Sequence, residues 1–217
     1  MKKFAVSITL YALFSTSVPS HAALEDRGGG LIYDNDLNIT WLSDANYAKT
    51  SGYNTDGKMN WAEANTWAAN LVYHDAIRNV DYSDWRLPTT DPVCGVFNCA
   101  GSEMGHLFYQ DLGGYEDTSL TSAHNIYYNL FHNINTVASN AIFRDYYWSS
   151  TEDASHTGQA WAFSFGGGNG SSRSESQGWY TIAVRPGDVA PIPEPETYAM
   201  FLAGLGLLGW RMRNAKS

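Results

Sequence analysis

Between Gly28 and Leu42 the chain alternates. Leu31-Ile32-Tyr33 leads into Asp34-Asn35-Asp36, and Leu37-Asn38-Ile39-Thr40-Trp41-Leu42 then carries an apolar residue at every second position. Period two on either side of an Asx-rich turn predicts a β-hairpin. After Asn60 the period becomes helical: Trp61, Ala64, Ala68, Leu71 and Val72 recur on one side, with Asn60 as N-cap and Glu63 at N3, so a helix is predicted over residues 61–74. Ser102 caps a second, shorter helix with Met104, Leu107 and Phe108 on one side, stopped by Gly113-Gly114. Between the two, Asp84-Trp85-Arg86-Leu87-Pro88-Thr89 holds a proline that confines any strand there to an edge or a turn. The last third reads as β over residues 146–151, 161–165 and 179–185. Trp161, Phe163 and Phe165 alternate with small residues, as a sheet with one buried face requires. The Gly- and Ser-rich run 166–178 exceeds the usual hairpin loop and reads as a disordered tip or a binding loop. The absence of a repeat of 20 to 50 residues argues against a solenoid.

Both ends break with this pattern. Met1-Lys2-Lys3, an apolar stretch from Phe4 to Val18, and Ser20-His21-Ala22 have the form of a signal peptide over residues 1–22, cleaved between Ala22 and Ala23. The run is too short to span roughly 30 Å of hydrocarbon comfortably, and Pro19 ends it. At the other end a stiff linker over residues 188–197 contains Pro191-Ile192-Pro193-Glu194-Pro195-Glu196. An apolar run from Tyr198 to Trp210 follows, then Arg211 and Arg213. As a helix this run rises only about 20 Å. Its physics leaves open an amphipathic tail, a core helix, or a short span with arginines snorkelling on the cytoplasmic side. The order of parts, Pro-Glu-Pro, then a Gly-rich apolar run, then a basic tip, resembles the PEP-CTERM sorting signal of Gram-negative bacteria, with Pro193, Glu194 and Pro195 as its motif. The resemblance implies a short transmembrane helix and basic tail over residues 198–217, transient anchoring in the inner membrane after Sec export, and recognition by an exosortase. It also implies delivery to the cell surface or an exopolysaccharide matrix.

Charge sharpens this reading. The chain has 22 acids against 13 bases, a formal −9, but Lys2, Lys3, Arg211, Arg213 and Lys216 lie at the ends. With those five and the linker's Glu194 and Glu196 set aside, residues 23–192 hold eight bases against twenty acids, a formal −12. This excludes a phosphate-neutralising nucleic-acid binder in the absence of a basic patch. Eight Trp, fourteen Tyr and nine Phe exclude disorder. Export places the middle in an oxidising compartment, where Cys94 and Cys99 are expected to form a local disulfide. So small a loop contributes roughly 2 kcal/mol, enough to pin a loop but not to hold a fold together.

A second resemblance covers the middle of the chain. Gly30-Leu31-Ile32-Tyr33-Asp34, Thr40-Trp41, Asn60-Trp61-Ala62-Glu63-Ala64, Asp84-Trp85-Arg86-Leu87-Pro88, Ser102-Glu103-Met104, Tyr147-Trp148-Ser149-Ser150-Thr151, Trp161-Ala162-Phe163 and Ala183-Val184-Arg185 fall in the order of the Lcl C-terminal domain family, named for a collagen-like bacterial adhesin. The resemblance assigns residues 23–187 to one such domain. It implies an α+β, C-type lectin-like fold with two helices packed on antiparallel sheets. The cysteine loop at 92–100 and the Asn/His/Tyr-rich stretch 124–140 depart from the common pattern.

Reactive chemistry finds little local support. His74, His106, His124, His132 and His156 show no His-Glu-x-x-His spacing. Asp34-x-Asp36-x-Asn38 begins like a calcium loop, but Ile39 and Ala45 occupy the positions that need Gly and a bidentate Glu, so an Asx turn is expected and no metal or cofactor is assigned. Neither a nucleophile elbow nor a phosphate loop fits the Gly-rich run. C-type lectin-like architecture is shared with formylglycine-generating enzymes, whose chemistry requires reactive thiols. The disulfide would consume both thiols here, so the domain is expected to be non-catalytic, an enzyme assembled from distant residues being the lesser alternative.

The remaining signal is aromatic, since Trp and Tyr stack on the apolar faces of sugars. Trp41, Trp61, Trp85, Trp148, Trp161 and Phe163 sit at periodic or family-motif positions and are expected in the core, with Arg86 and Arg185 as ion-pair partners of carboxylates such as Asp84. Tyr109, Tyr115, Tyr127, Tyr128, Arg173 and Trp179 are the candidate ligand-binding residues. The adhesin resemblance suggests anionic glycosaminoglycan-like ligands, but a domain at −12 repels these, so a neutral exopolysaccharide or surface glycan is the expected partner. A self-associating structural matrix protein without a glycan pocket is the alternative.

Overall fold

The computed structural model describes residues 24–93, 96–99, 101–136, 145–189 and 203–205. The signal peptide with Ala22 and Ala23, Cys94, and the motif Pro193, Glu194 and Pro195 lie outside the described residues, as does the C-terminal apolar run apart from a helical turn at 203–205. Among the described residues no helix is long and apolar enough to cross a membrane.

The predicted hairpin forms. Strands β2 (Leu31–Asp34) and β3 (Ile39–Leu42) pair antiparallel from Leu31 opposite Leu42 to Asp34 opposite Ile39. The expected Asx turn closes it: Asp34 Oδ1 accepts the Leu37 N–H at 3.0 Å, and Asn38 takes the left-handed conformation at φ 53°. Strand β1 (Leu24–Asp26) adds to the outer edge of β2, and β9 (Val184–Pro186) adds to β3, giving the order β1-β2-β3-β9. The two ends of the domain therefore meet in one sheet. A two-stranded ribbon joins β4 (Tyr73–Asp75) to β5 (Val80–Tyr82). A three-stranded sheet runs β6 (Tyr147–Glu152), β7 (Gln159–Ser164) and β8 (Asn169–Ser174), all antiparallel.

Helix α1 (Tyr47–Thr50) is a single turn. Helix α2 (Trp61–Ala69) has the expected capping box, Asn60 Oδ1 accepting from Glu63 N–H at 3.0 Å and Glu63 Oε2 from Asn60 N–H at 3.2 Å. It ends short of residue 74 because Tyr73, His74 and Asp75 are taken into pairing with β5. Val72 is consequently exposed, and Trp67 takes the buried helical position instead. Helix α3 (Glu103–His106) starts at Ser102, whose Oγ accepts the Gly105 N–H at 3.1 Å, and continues as a π-helical turn over Leu107–Asp111. Antiparallel sheets and short helices make the architecture α+β.

Two cores lie on opposite faces of the sheets. Leu31, Leu42, Trp67, Trp85 and Trp148 build one, with Trp61 half-buried at its edge. Ile32, Trp41, Phe108, Tyr147, Phe163 and Phe165 build the other. All four residues of β3 are buried, and β7 sends Phe163 into one core while Ala160 and Ala162 enter the other. The expectation of a single buried face over 161–165 is therefore corrected. The small residues of β7 are not solvent-facing; they let Trp148 approach closely, Ala162 standing opposite it in the ladder. Trp161 itself is half-buried.

Two further expectations change. The run 166–178 is neither a disordered tip nor a binding loop over its length, since residues 169–174 are strand β8 and pair with β7 from Gln159 opposite Ser174 to Ser164 opposite Asn169. Glycine and serine leave period-two patterning unreadable there, and backbone pairing decides the outcome. The strand expected over 179–185 keeps only Val184–Pro186, with Trp179 and Tyr180 in single bridges to Met59 and Tyr147. Arg86 bridges Val184 through both backbone groups, at 2.8 and 2.9 Å, which places the proline-containing segment at the sheet margin as expected.

Candidate functional site

A cleft of about 400 Å³ opens beside α1, lined by Asn46, Lys49, Thr50, Asn133, Ile134 and Asn135. Two distant stretches meet there because the chain after Phe131 runs parallel to residues 43–45. His132 N–H donates to Ser43 O at 2.7 Å, and Ala45 N–H donates to His132 O at 2.9 Å. Asn133 Nδ2 then donates to Asp44 Oδ1 at 2.9 Å, and Asn135 N–H donates to the buried Tyr147 hydroxyl at 2.7 Å. Burial pushes that phenol far above its ordinary range, so it stays neutral. Asn46 Oδ1 is buried without a hydrogen-bond partner among the described residues. The walls thus carry amides able both to donate and to accept, one hydroxyl, one ammonium and one apolar side chain. No histidine or carboxylate is among the described lining residues. Such a set can exchange hydrogen bonds with hydroxyl-bearing ligands.

The six candidate ligand residues do not form one face. Tyr115 is 67% exposed. Tyr109 is half-buried, edge-on to Phe108, with its hydroxyl donating to Gly168 O at 2.6 Å. Tyr127 and Tyr128 pack against the core from a 3₁₀ turn over Ile126–Leu130, Tyr128 lying 4.3 Å from the His124 ring. Arg173 and Trp179 share a neighbour, Tyr146. The Arg173 guanidinium lies 4.1 Å over the Tyr146 ring and bonds its hydroxyl, while Trp179 meets that ring at 5.3 Å. Arg86 makes a two-pronged ion pair with Glu103, both arms at 2.7 Å, and Arg185 pairs with Asp84 at 2.8 and 3.0 Å. Both arginines are held in ion pairs. Cys99 is buried.

A second polar cluster is absent from the local sequence pattern. Asp34, His106 and Asp111 each bring one donor atom to a common point, all within 4.8 Å of one another. Asp34 lies at the end of β2, His106 at the end of α3, and Asp111 at the end of the π-helical turn. Desolvation pushes the Asp111 carboxyl up to about 8, with the nearby Asp34 and Asp36 charges adding to the shift. Asp34 is raised as well, again chiefly by burial, although its oxygens accept from Leu37 N–H and Trp41 Nε1.

A family model for the Lcl C-terminal domain matches residues 30–185, more than two thirds of the chain. The chain belongs to the Lcl C-terminal domain family. A second model, for the PEP-CTERM protein-sorting motif, matches residues 191–214 and supports export with exosortase processing. No curated protein matches the chain. The matched region thus begins within the β1–β2 turn and ends in β9, and the strands at its two ends, β2 and β9, flank β3 in one sheet. The aromatic residues do not mark the cleft, because most of the Lcl domain's rings are spent on its two cores. Two Asx-rich stretches, Asn46 and the Asn133-Ile134-Asn135 triplet, were the available signal. Without knowledge that residue 132 pairs with residue 44 they had no common address.

Proposed function

We propose that this protein is a non-catalytic component of the cell surface or exopolysaccharide matrix, and that its lectin-like Lcl domain binds a neutral glycan in the Asn-lined cleft. The PEP-CTERM match over residues 191–214 is the observation that carries it. The order of parts implies a signal peptide cleaved at Ala22, Sec export, a short C-terminal membrane helix as a transient anchor, and exosortase recognition of Pro193, Glu194 and Pro195. Support for the glycan comes from the cleft. Amides and a hydroxyl match sugar hydroxyls, and the net negative charge of the domain disfavours polyanions.

Two measurements test this. Fractionation of wild type and a Pro193→Ala/Glu194→Ala/Pro195→Ala variant is expected to show the variant retained in the inner membrane while wild type reaches the matrix. Equal partitioning overturns the sorting assignment. For binding, Lys49→Ala/Asn135→Ala is expected to weaken affinity for the producing cell's neutral exopolysaccharide at least tenfold, measured by isothermal titration. Silence of the wild type toward glycans, with concentration-dependent assembly, would favour the self-associating matrix protein instead.

The same reading pairs Cys94 with Cys99. Cys99 lies close against α3, where a Cβ on Gly105 would come within 2.3 Å of the Cys99 carbonyl oxygen. A thiol titration of the denatured, unreduced protein is expected to find no free thiol. Two reactive thiols per chain would refute the pairing.

A further inference from the structure

The geometry points to a divalent transition-metal site, of the Zn²⁺ type, built by Asp34, His106 and Asp111 and rimmed by Asp36. Its centre is Asp111. The side chain is wholly buried, and neither carboxylate oxygen has a hydrogen-bond partner among the described residues. A buried carboxylate left in that state is costly unless a cation or a proton joins it. His106 Nε2 faces it and is likewise buried without a hydrogen-bond partner. The two atoms are 3.7 Å apart, too far for a hydrogen bond. Donors that each sit about 2.0–2.2 Å from a tetrahedral ion are roughly 3.4 Å apart, so a small closure onto a metal fits this spacing. Asp36 Oδ2, on an exposed side chain, lies 3.9 Å from the same nitrogen and supplies a fourth, adjustable donor.

The backbone is shaped for this arrangement. His106 and Asp111 are five residues apart, and on an ordinary α-helix they would point about 140° away from each other. The π-helical turn over Leu107–Asp111, with Leu112 N–H reaching Leu107 O at 2.9 Å, carries Asp111 back toward His106. Such turns are rare and cluster at functional sites. Asp34 is oriented from behind: Leu37 N–H holds one oxygen at 3.0 Å and Trp41 Nε1 the other at 3.3 Å, as outer partners orient metal-binding carboxylates. One imidazole with carboxylates favours zinc-like ions over calcium or magnesium, which take oxygen ligands.

The test uses the full chain in mild detergent, stripped with EDTA and titrated separately with ZnCl₂, MnCl₂ and CaCl₂. Zn²⁺ is expected to bind at one equivalent per chain with micromolar or tighter affinity, and more tightly than Ca²⁺. Asp111→Asn and His106→Gln are each expected to weaken it at least tenfold with unchanged far-UV circular dichroism, while the control His74→Gln, at a surface pair with Asp81, leaves it unchanged. Co²⁺ bound at the site is expected to give visible ligand-field absorption that His106→Gln abolishes. Absence of stoichiometric Zn²⁺, tighter Ca²⁺ binding, or wild-type affinity in both variants overturns the proposal. Should Asp111→Asn fail to fold, His106→Gln and the Co²⁺ spectrum decide alone.

Discussion

Trp148→Ala is expected to cost about 3–5 kcal/mol, read as a fall in the urea midpoint at constant slope. Trp148 is fully buried in β6, its ring packed in the Trp67–Trp85 core and its Nε1 donating to Met59 O at 2.8 Å. Truncation removes one of the three buried tryptophans of that core and opens a cavity its neighbours cannot close, because β7 behind it is committed to a second core through Phe163. Against a typical domain stability of about 5–15 kcal/mol, the variant approaches unfolding. Trp148→Phe separates the contributions. It keeps an aromatic ring and loses the indole hydrogen bond, for an expected cost of about 1–2 kcal/mol, since Met59 O still accepts from Trp179 N–H. Equal losses in the two variants would show that the hydrogen bond, and not the volume, dominates.

Asp75→Asn is expected to cost about 3 kcal/mol at neutral pH, which heat or urea unfolding would measure. Its side chain is wholly buried at the end of β4. It accepts from Ile77 N–H at 2.9 Å and Arg78 N–H at 3.2 Å, and meets Arg78 Nη1 at 2.6 Å. Arg78 in turn donates to Arg27 O, so this carboxylate ties the β4–β5 ribbon to the start of the first sheet. Gly29 lies so close that a Cβ there would stand 2.8 Å from Asp75 Oδ1. Burial alone would raise the carboxyl's pKa, but the Arg78 side chain and the two backbone N–H groups outweigh it and hold the pKa below its ordinary value. A depressed carboxyl contributes stability that is fully present above the unfolded value near 4 and is lost as pH falls through the folded value. Wild type is therefore expected to lose stability below about pH 4 through this group, and Asp75→Asn to show a shallower acid dependence. Parallel acid profiles would remove Asp75 from the account.

Much of the local structure was legible. Asn60 and Glu63 announce a capping box because both partners lie within one turn, and the Asp34–Asn38 turn announces its hairpin for the same reason. The helix that stops at Ala69 and the strand hidden in residues 169–174 were not legible. In both, pairing with a neighbouring strand overrides local preference, and the neighbour is not encoded in the window. The candidate sites divide in the same way. The aromatics chosen for exposure are mostly committed to packing, whereas the cleft and the Asp34–His106–Asp111 cluster are assembled from chain segments dozens of residues apart.

By itself the sequence determined that this protein carries an export-sorting motif and which family it belongs to. Sorting signals are read as short linear patterns of charge and hydrophobicity, and family motifs survive as local words. Only the tertiary structure decided what those words assemble. Two cores must share β3 and β7, so ring after ring is withdrawn from the surface. A π-helical turn rotates Asp111 toward His106, and one parallel bridge at His132 brings the asparagines to one cleft. Those outcomes depend on long-range contacts, whose free energy appears only when distant segments exclude water together.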